Sequence, residues 1–92
     1  MTTLSVVMPL RNVAAHVGRA LDSLWAQTRR PDECIAVVGA SIDDTRAIVA
    51  GRGWVRVVDQ RGSGLAAARN AGVDAASGEL IAFLDGDDEW LP

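Results

Sequence analysis

Short apolar runs alternate with segments of helical periodicity along the whole chain. Each run holds five or six residues and is rich in Val, Ile and Leu. Runs of this length are typical of strands buried in a parallel sheet, because helices need longer segments. In the third run the alternation of valines with Arg56 predicts that one face of the strand is more exposed. The four predicted strands are Leu4–Met8, Cys34–Val38, Trp54–Asp59 and Leu80–Asp85.

Three helices are predicted between these strands. The first carries an apolar stripe at helical spacing, and Asn12 stands where a capping residue is expected. The second is short, since Ser41 and Asp44 match a capping box and Gly51 fits a helix stop. The third is rich in Ala and is closed by Gly78. The stripe of the first helix consists of Val13, Val17, Leu21 and Leu24, and the third helix spans Leu65–Ala76.

The order of these elements, β-α-β-α-β-α-β, predicts the fold class. Strands that alternate with helices favour an α/β, Rossmann-like fold: a mainly parallel four-stranded sheet with helices on its faces. No shift in composition marks a linker, so we expect residues 1–92 to form a single domain. Ligands of such sheets bind beyond the carboxyl ends of the strands.

Composition and charge exclude several classes of function. The chain is 49% hydrophobic but only 4% aromatic, so its core must consist of Val, Leu, Ile and Ala. A net charge of −3 gives no general attraction to nucleic acid. Cys34 is the only cysteine, which excludes an internal disulfide and a metal–thiolate cluster. No apolar run has the length of a transmembrane segment or the flanks of a signal peptide, so we expect a cytoplasmic location.

Four acids stand within five positions at the end of the last predicted strand. They are Asp85, Asp87, Asp88 and Glu89, out of twelve acids in the chain. The first two flank Gly86, which permits a tight turn. Two carboxylates at this spacing can share a hard cation such as Mg²⁺ or Mn²⁺, or divide a cation and a sugar hydroxyl between them. The tripeptide alone is more typical of a solvated acidic loop, but its place at a strand end, after an apolar run, favours a ligand site.

A second candidate motif is GSGLAA, Gly62–Ala67, which fits the G-x-G-x-x-[GA] fingerprint of dinucleotide sites. It follows a strand and opens a helix, and Asp85 lies about twenty residues further on, as that fingerprint requires. Against this reading, DQR separates the glycines from the strand, and two β-α units precede the motif. A simple turn with a helix start is the plain alternative. A helix N-terminus there favours an anion in either case.

Taken together, the segments resemble the amino-terminal half of a family 2 glycosyltransferase with the GT-A fold. The resemblance covers nearly all of the chain, and its strongest parts are AARNAG and then GELIAFLDGDDEWLP. It implies an inverting, metal-dependent enzyme that transfers a sugar from a nucleotide diphosphate sugar to an acceptor hydroxyl. A UDP-sugar is the favoured donor. The dinucleotide module is the weaker alternative.

The resemblance also implies site residues. Asp87 would hold the divalent cation that bridges the diphosphate, with Asp85 as a second ligand or as a contact to the ribose or donor sugar. The segment Pro9–Arg11 would cradle the nucleotide, and Arg69 would lie near it. The nucleotide-sugar set is Pro9, Leu10, Arg11, Ser41, Arg69, Asp85 and Gly86, and the metal set is Asp87 and Asp85.

Two departures from the family pattern limit these expectations. The family usually carries an Asp after the second strand that reads the nucleobase, but Val38 or Gly39 stands there, so the choice of base is open. Asp43 could compensate, although an acid at a helix start has a structural role of its own. The family's domain is also much longer than this chain. We therefore expect a truncated domain, inactive alone, with the catalytic base downstream of Pro92. A third alternative is a non-catalytic remnant that forms homo-oligomers through exposed sheet edges.

Overall fold

The computed structural model describes residues 2–39 and 43–90, and within them strands and helices alternate in the predicted order. No helix among these residues is long and apolar enough to cross a membrane. The elements are β1 (Leu4–Leu10), α1 (Ala14–Trp25), β2 (Glu33–Val38), α2 (Thr45–Ala50), β3 (Val55–Asp59), α3 (Leu65–Ala75) and β4 (Leu80–Phe83).

The four strands form one sheet in the order β3-β2-β1-β4, and every neighbouring pair is parallel. The α/β class and the parallel sheet are therefore confirmed. Strand β1 is central, and Val6 pairs with Cys34 on one side and with Ala82 on the other. All four carboxyl ends consequently lie along one edge of the sheet, where the loops after β1, β3 and β4 meet.

Helices cover both faces of the sheet. Even-numbered residues of β1 such as Val6 and Met8 face α1 and α2, and the stripe Val17, Leu21 and Leu24 of α1 is fully buried in that cluster, as predicted. Odd-numbered residues such as Val7 face α3. That helix lies very close to the sheet, because a Cβ on Gly72 would stand 2.1 Å from the Val7 side chain.

Strand β1 continues through Pro9 to Leu10, two residues beyond the predicted end. A proline in a central strand usually removes a ladder hydrogen bond. Here the carbonyl of Leu10 accepts a hydrogen bond from the Gly39 N–H, on the side of β2, whereas the carbonyl of Val7 accepts one from the Leu84 N–H, on the side of β4. The backbone groups of successive residues point to opposite neighbouring strands, so those of Pro9 point toward β4, as those of Val7 do. The last residue pair between β1 and β4 is Val7 with Phe83, and Pro9 lies beyond it. Its missing N–H therefore removes no bond, and the strand can carry Pro9 to the edge.

The helix starts differ from the prediction. Asn12 does not cap α1: it has a φ of 51°, and Val13 is the capping residue without a side-chain bond. The N–H groups of Val13 and Ala14, which have no partner within the helix, donate to Thr45 Oγ1 and Asp43 Oδ2. Residues at the start of α2 therefore cap α1 through tertiary contacts. Gly51 ends α2 as predicted. Ser41 of the predicted capping box lies outside the described residues.

Candidate functional site

A cavity of about 330 Å³ opens at the carboxyl edge, between the end of β1 and the start of α3. Its size is that of a small-ligand pocket. The floor is formed by β1 and the rim by the loop that follows β3. The lining residues are Pro9, Leu10, Arg11, Gln60, Gly62, Ser63, Gly64, Leu65 and Ala68. The predicted Pro9–Arg11 segment and the glycine-rich motif thus line one cavity.

The glycine loop owes its shape to two left-handed residues, Gly62 with φ 77° and Gly64 with φ 89°. Other residues adopt this conformation only with strain. The loop turns the chain into α3 directly at the cavity, and Gly64 caps that helix without any side-chain bond. The first N–H groups of α3 are the positive end of its dipole. An anion in the cavity would meet them.

Gln60 connects the loop to the end of β2. Its Nε2 donates to the carbonyls of Gly62 and Gly64, at 3.3 and 3.1 Å, and its backbone N–H donates to Val38. Its side-chain oxygen lies over Gly39, where an added Cβ would be only 2.7 Å away. Sequence reasoning missed Gln60. The signal that could have found it is the glycine at position 39, where the resemblance leads one to expect a side chain.

The acidic motif forms a tight turn after β4, in which Asp88 N–H donates to the Asp85 carbonyl at 3.0 Å. Gly86 does not have a positive φ, so the turn does not need glycine for its backbone conformation. It needs glycine for space, because an added Cβ would stand 2.6 Å from Leu10 Cδ2 and 2.8 Å from Val13 Cγ2. Because Gly86 has no side chain, the acidic turn packs directly against Leu10, which also lines the cavity.

The carboxylates of Asp85 and Asp87 are both exposed. Neither forms a hydrogen bond or an ion pair within residues 2–39 and 43–90. The two flanks of the turn are fixed, by pairing of β4 with β1 and by Trp90, whose N–H donates to Ser23 Oγ and whose ring packs on the core. The acidic turn is thus anchored on both sides, and it presents the carboxylates of Asp85 and Asp87 to solvent.

These two carboxylates are the residues that could hold a metal. The part of the chain that the structure describes contains no cluster of three or more His, Cys, Asp or Glu with metal-site geometry. Two carboxylates fit Mg²⁺ or Mn²⁺ when water and ligand phosphates complete the oxygen shell. Any cation at this turn would therefore depend on its ligand for part of its coordination.

Two arginines approach the site from different sides. Arg11 lines the cavity, is exposed and has no ion pair within the described residues. Arg69 lies outside the cavity lining, on α3, with its guanidinium carbon 5.4 Å from the centre of the Phe83 ring. Phe83 is the last residue of β4, so Arg69 stands beside the strand that leads into the acidic turn.

Asp43 is engaged in structure. Its carboxylate accepts hydrogen bonds from the Thr45 hydroxyl and backbone and from the Ala14 backbone. The Thr45 hydroxyl first, and then the Ala14 N–H, hold the pKa of Asp43 below its ordinary value. Both oxygens are thus engaged at two helix starts, which is the structural role anticipated for this acid. Ser41, the remaining predicted contact in this loop, lies outside the described residues.

Comparison with known sequences connects this geometry to one family. The profile of glycosyl transferase family 2 matches residues 5–92. An uncharacterised glycosyltransferase of Nostoc sp., alr2836, is 35% identical over 97% of this chain. The Escherichia coli enzyme named UDP-Glc:alpha-D-GlcNAc-diphosphoundecaprenol beta-1,3-glucosyltransferase, WfgD, is 33% identical over 95% of this chain. The chain spans only 29% and 36% of the lengths of these two relatives.

Solved structures show the same arrangement of strands and helices. Glucosyl-3-phosphoglycerate synthase from Mycobacterium tuberculosis, crystallised with Mn²⁺, UDP and phosphoglyceric acid, superposes with a TM-score of 0.82 at 27% identity. The match covers 96% of this chain and 35% of that protein. Mannosyl-3-phosphoglycerate synthase from Rubrobacter xylanophilus gives a TM-score of 0.87 at 25% identity, over 99% of this chain and 32% of that protein. The chain thus has the fold of about one third of each of these proteins.

Proposed function

This chain belongs to glycosyl transferase family 2, and we propose that it forms the donor-binding part of an inverting, metal-dependent glycosyltransferase. Its donor is a nucleotide diphosphate sugar, with a UDP-sugar favoured because UDP accompanies Mn²⁺ in a structural neighbour. The observation that carries the proposal is that Leu10 contacts both the cavity and the acidic turn. This residue lines the glycine-loop cavity and also seats Gly86 of the acidic turn.

Each part of the edge then has a role in donor binding. Pro9 and Leu10 form the apolar floor under the nucleoside. Arg11 and the first N–H groups of α3 face the diphosphate, to which an arginine can donate two hydrogen bonds. Arg69 adds positive charge beside the acidic turn. Ser41 keeps its proposed place near the nucleotide.

The acidic turn handles the reacting end of the donor. Asp87 would hold Mg²⁺ or Mn²⁺, and Asp85 would either share the cation or accept hydrogen bonds from the ribose or donor sugar. A divalent cation bound there would supply Lewis-acid stabilisation to the negative charge that develops on the leaving nucleoside diphosphate. Because Gly86 lets the turn pack closely on Leu10, it sets how far both carboxylates lie from the end of β1.

We propose that the acceptor site and the general base lie outside the part of the relatives that this chain spans, which is 29% and 36% of their lengths. General-base activation of an acceptor hydroxyl needs a carboxylate within hydrogen-bond reach. Among described residues Asp88 and Glu89 are the acids nearest the motif in sequence, and Glu89 forms an ion pair with Arg19 at 3.5 Å. We therefore propose donor binding without turnover for residues 1–92, in a cytoplasmic setting.

Calorimetric titration of UDP with and without Mn²⁺ tests the donor site. We expect Mn²⁺ to strengthen binding and Asp87→Asn to weaken it about tenfold or more, because an ionised partner of the bound cation is lost. Asp74→Asn is the matched control, since Asp74 is an exposed acid on α3 whose carboxylate forms no hydrogen bond or ion pair with the described residues. UDP binding that ignores both Mn²⁺ and Asp87 would remove the metal assignment. The dinucleotide alternative has no support from the family match.

Self-association through a sheet edge is a second proposal, favoured by one observation. Leu80, Ile81 and Phe83 of β4 are 54%, 37% and 41% exposed, and β4 is an edge strand of the sheet the structure describes. An apolar edge of this kind can pair with a second copy. Sedimentation of residues 1–92 from low to high concentration should show dimers, whereas Ile81→Lys should sediment as a monomer. A wild-type monomer throughout the range would refute the proposal.

A further inference from the structure

Gln60, a residue of the cavity lining, places its side-chain oxygen over Gly39, the first residue after β2. Gly39 offers no side chain there, and its backbone N–H donates to the Leu10 carbonyl at the cavity floor. The Gln60 oxygen lies above it, 2.7 Å from where a Cβ would be. The two residues are complementary in shape, since any side chain at position 39 would displace the Gln60 amide.

The orientation of that amide is fixed. Nε2 carries both hydrogens and donates them to the carbonyls of Gly62 and Gly64, which can only accept. The opposite end is therefore Oε1. Within residues 2–39 and 43–90 this oxygen accepts no hydrogen bond from a side chain or backbone group. Gln60 lines the cavity, and its Oε1 lies beside Gly39 at the end of β2 as an acceptor without a partner among the described residues.

We propose that Gln60 selects the nucleobase of the donor, by accepting a hydrogen bond from a ring N–H. This inference rests on the donor-binding function proposed above. Uracil presents an N–H at N3, whereas cytosine presents a lone pair at the same atom. A fixed Oε1 favours the first and repels the second. The two glycine carbonyls prevent the amide from flipping to offer Nε2 instead.

Competition between UDP and CDP isolates the base, because the two ligands share ribose and diphosphate. Wild-type chain with Mn²⁺ should prefer UDP by about tenfold, because uracil gains one hydrogen bond to Oε1 where cytosine sets two lone pairs against each other. Gln60→Met keeps the length of the side chain and removes the oxygen, so the preference should fall to about twofold or less. Gln27→Met is the matched control: Gln27 donates to the carbonyls of Ser23 and Trp90 and does not line the cavity, so the ratio of the UDP and CDP affinities should be unchanged.

Gly39→Ala provides a second variant that leaves Gln60 itself intact. The added Cβ would enter the space of Oε1 and push the amide aside. We expect the UDP preference to fall as in Gln60→Met, with the response to Mn²⁺ retained and an unchanged circular dichroism spectrum. A Gly39→Ala variant that keeps the full preference would overturn the proposed position of the reading oxygen.

The remaining outcomes separate this inference from the function on which it rests. If the wild type binds neither nucleotide in the presence of Mn²⁺, the donor-site proposal fails and Gln60 has no base to read. If UDP binds with Mn²⁺ but Gln60→Met leaves the ratio unchanged, only the Gln60 assignment is wrong. If Gln60→Met weakens UDP and CDP equally, Gln60 merely shapes the glycine loop, and the assignment is again overturned.

Discussion

Polar side chains lie both at the amino edge of the sheet, where the four strands begin, and at the carboxyl edge, where they end. The side chains of the two edges differ in their hydrogen-bond partners. At the amino edge Glu33 accepts hydrogen bonds from the Ser5 hydroxyl at 2.8 Å and from the Ser77 N–H at 2.9 Å, and Gly78 N–H donates to Ser5 Oγ. Asp32 accepts from the Leu4 N–H. At the carboxyl edge the carboxylates of Asp85 and Asp87 have no such partners among the described residues.

Cavity size does not distinguish the edges, since the amino edge also has a cavity, of about 280 Å³. The difference lies in which polar groups already have partners. Acids that bond to backbone N–H groups hold a loop in place, as Glu33 holds the α3–β4 connection. Acids seated on a rigid turn without partners are available to a ligand. The bonded carboxylates of Asp32 and Glu33 and the exposed ones of Asp85 and Asp87 therefore differ more clearly than the volumes of the two cavities do.

The glycines of the two edges should give the largest contrast in stability. A Cβ on Gly78 would stand 2.8 Å from the Ser5 backbone nitrogen, which cannot move without disturbing β1. We expect Gly78→Ala to lower the free energy of unfolding by about 3 kcal/mol, and Gly86→Ala by about 1–2 kcal/mol, because Gly86 meets only side-chain atoms. Urea denaturation measures both.

Gly53→Ala is the control for this pair, since nothing lies within 4 Å of the added Cβ. Its stability should change by less than about 1 kcal/mol. Equal losses in Gly78→Ala and Gly86→Ala would show that the two edges are equally adaptable, contrary to the comparison.

Acid should weaken the amino edge through Glu33. The Ser77 N–H, and then the Ser5 and Ser77 hydroxyls, lower the pKa of Glu33 below its ordinary value of 4.5. The carboxylate therefore stabilises the fold above about pH 4.5, and that contribution is lost as the pH falls through the lower folded-state pKa. Glu33→Gln should cost about 1 kcal/mol at pH 7 and flatten the dependence of stability on pH between neutral and acid.

Glu79→Gln is the matched control for Glu33, since Glu79 is exposed and, among the described residues, its backbone N–H bonds to Thr3 Oγ1 whereas its carboxylate has no partner. Urea midpoints measured from neutral to acid pH should be the same for Glu79→Gln and the wild type. A Glu33→Gln variant with the wild-type pH dependence would show that the amino-edge network does not hold the loop.

Neutralising the acidic turn should have the smallest effect on stability, with the opposite sign. Asp85→Asn removes repulsion among like charges and breaks no bond within the described residues. We expect a gain of about 0.2–0.5 kcal/mol at low salt, which disappears at high salt as the repulsion is screened. Thermal melts at two ionic strengths would measure it. A clear loss of stability would indicate a structural partner for Asp85 and weaken the functional assignment.

Much of the candidate site could be predicted because its signals are local. The turn at Asp85–Asp87 could be predicted because an apolar run stops there at a carboxylate. The position of Pro9–Arg11 at the same edge could be predicted because the strands of the sheet are parallel. The dependence of the turn on Gly86 is not local. It reflects a contact with Leu10 and Val13, which are distant in sequence and adjacent only in the folded sheet.

By itself the sequence determined the order of elements, the apolar stripe of α1 and the edge of the sheet at which we propose that a ligand binds, because hydrophobic periodicity acts over a few residues. Tertiary structure alone decided that Thr45 and Asp43 cap α1 in place of Asn12. It also decided that Gln60 fills the space above Gly39, since that depends on how far apart the ends of β2 and β3 lie. Steric fit and hydrogen-bond completion are properties of assembled surfaces, and no pattern along the chain encodes them.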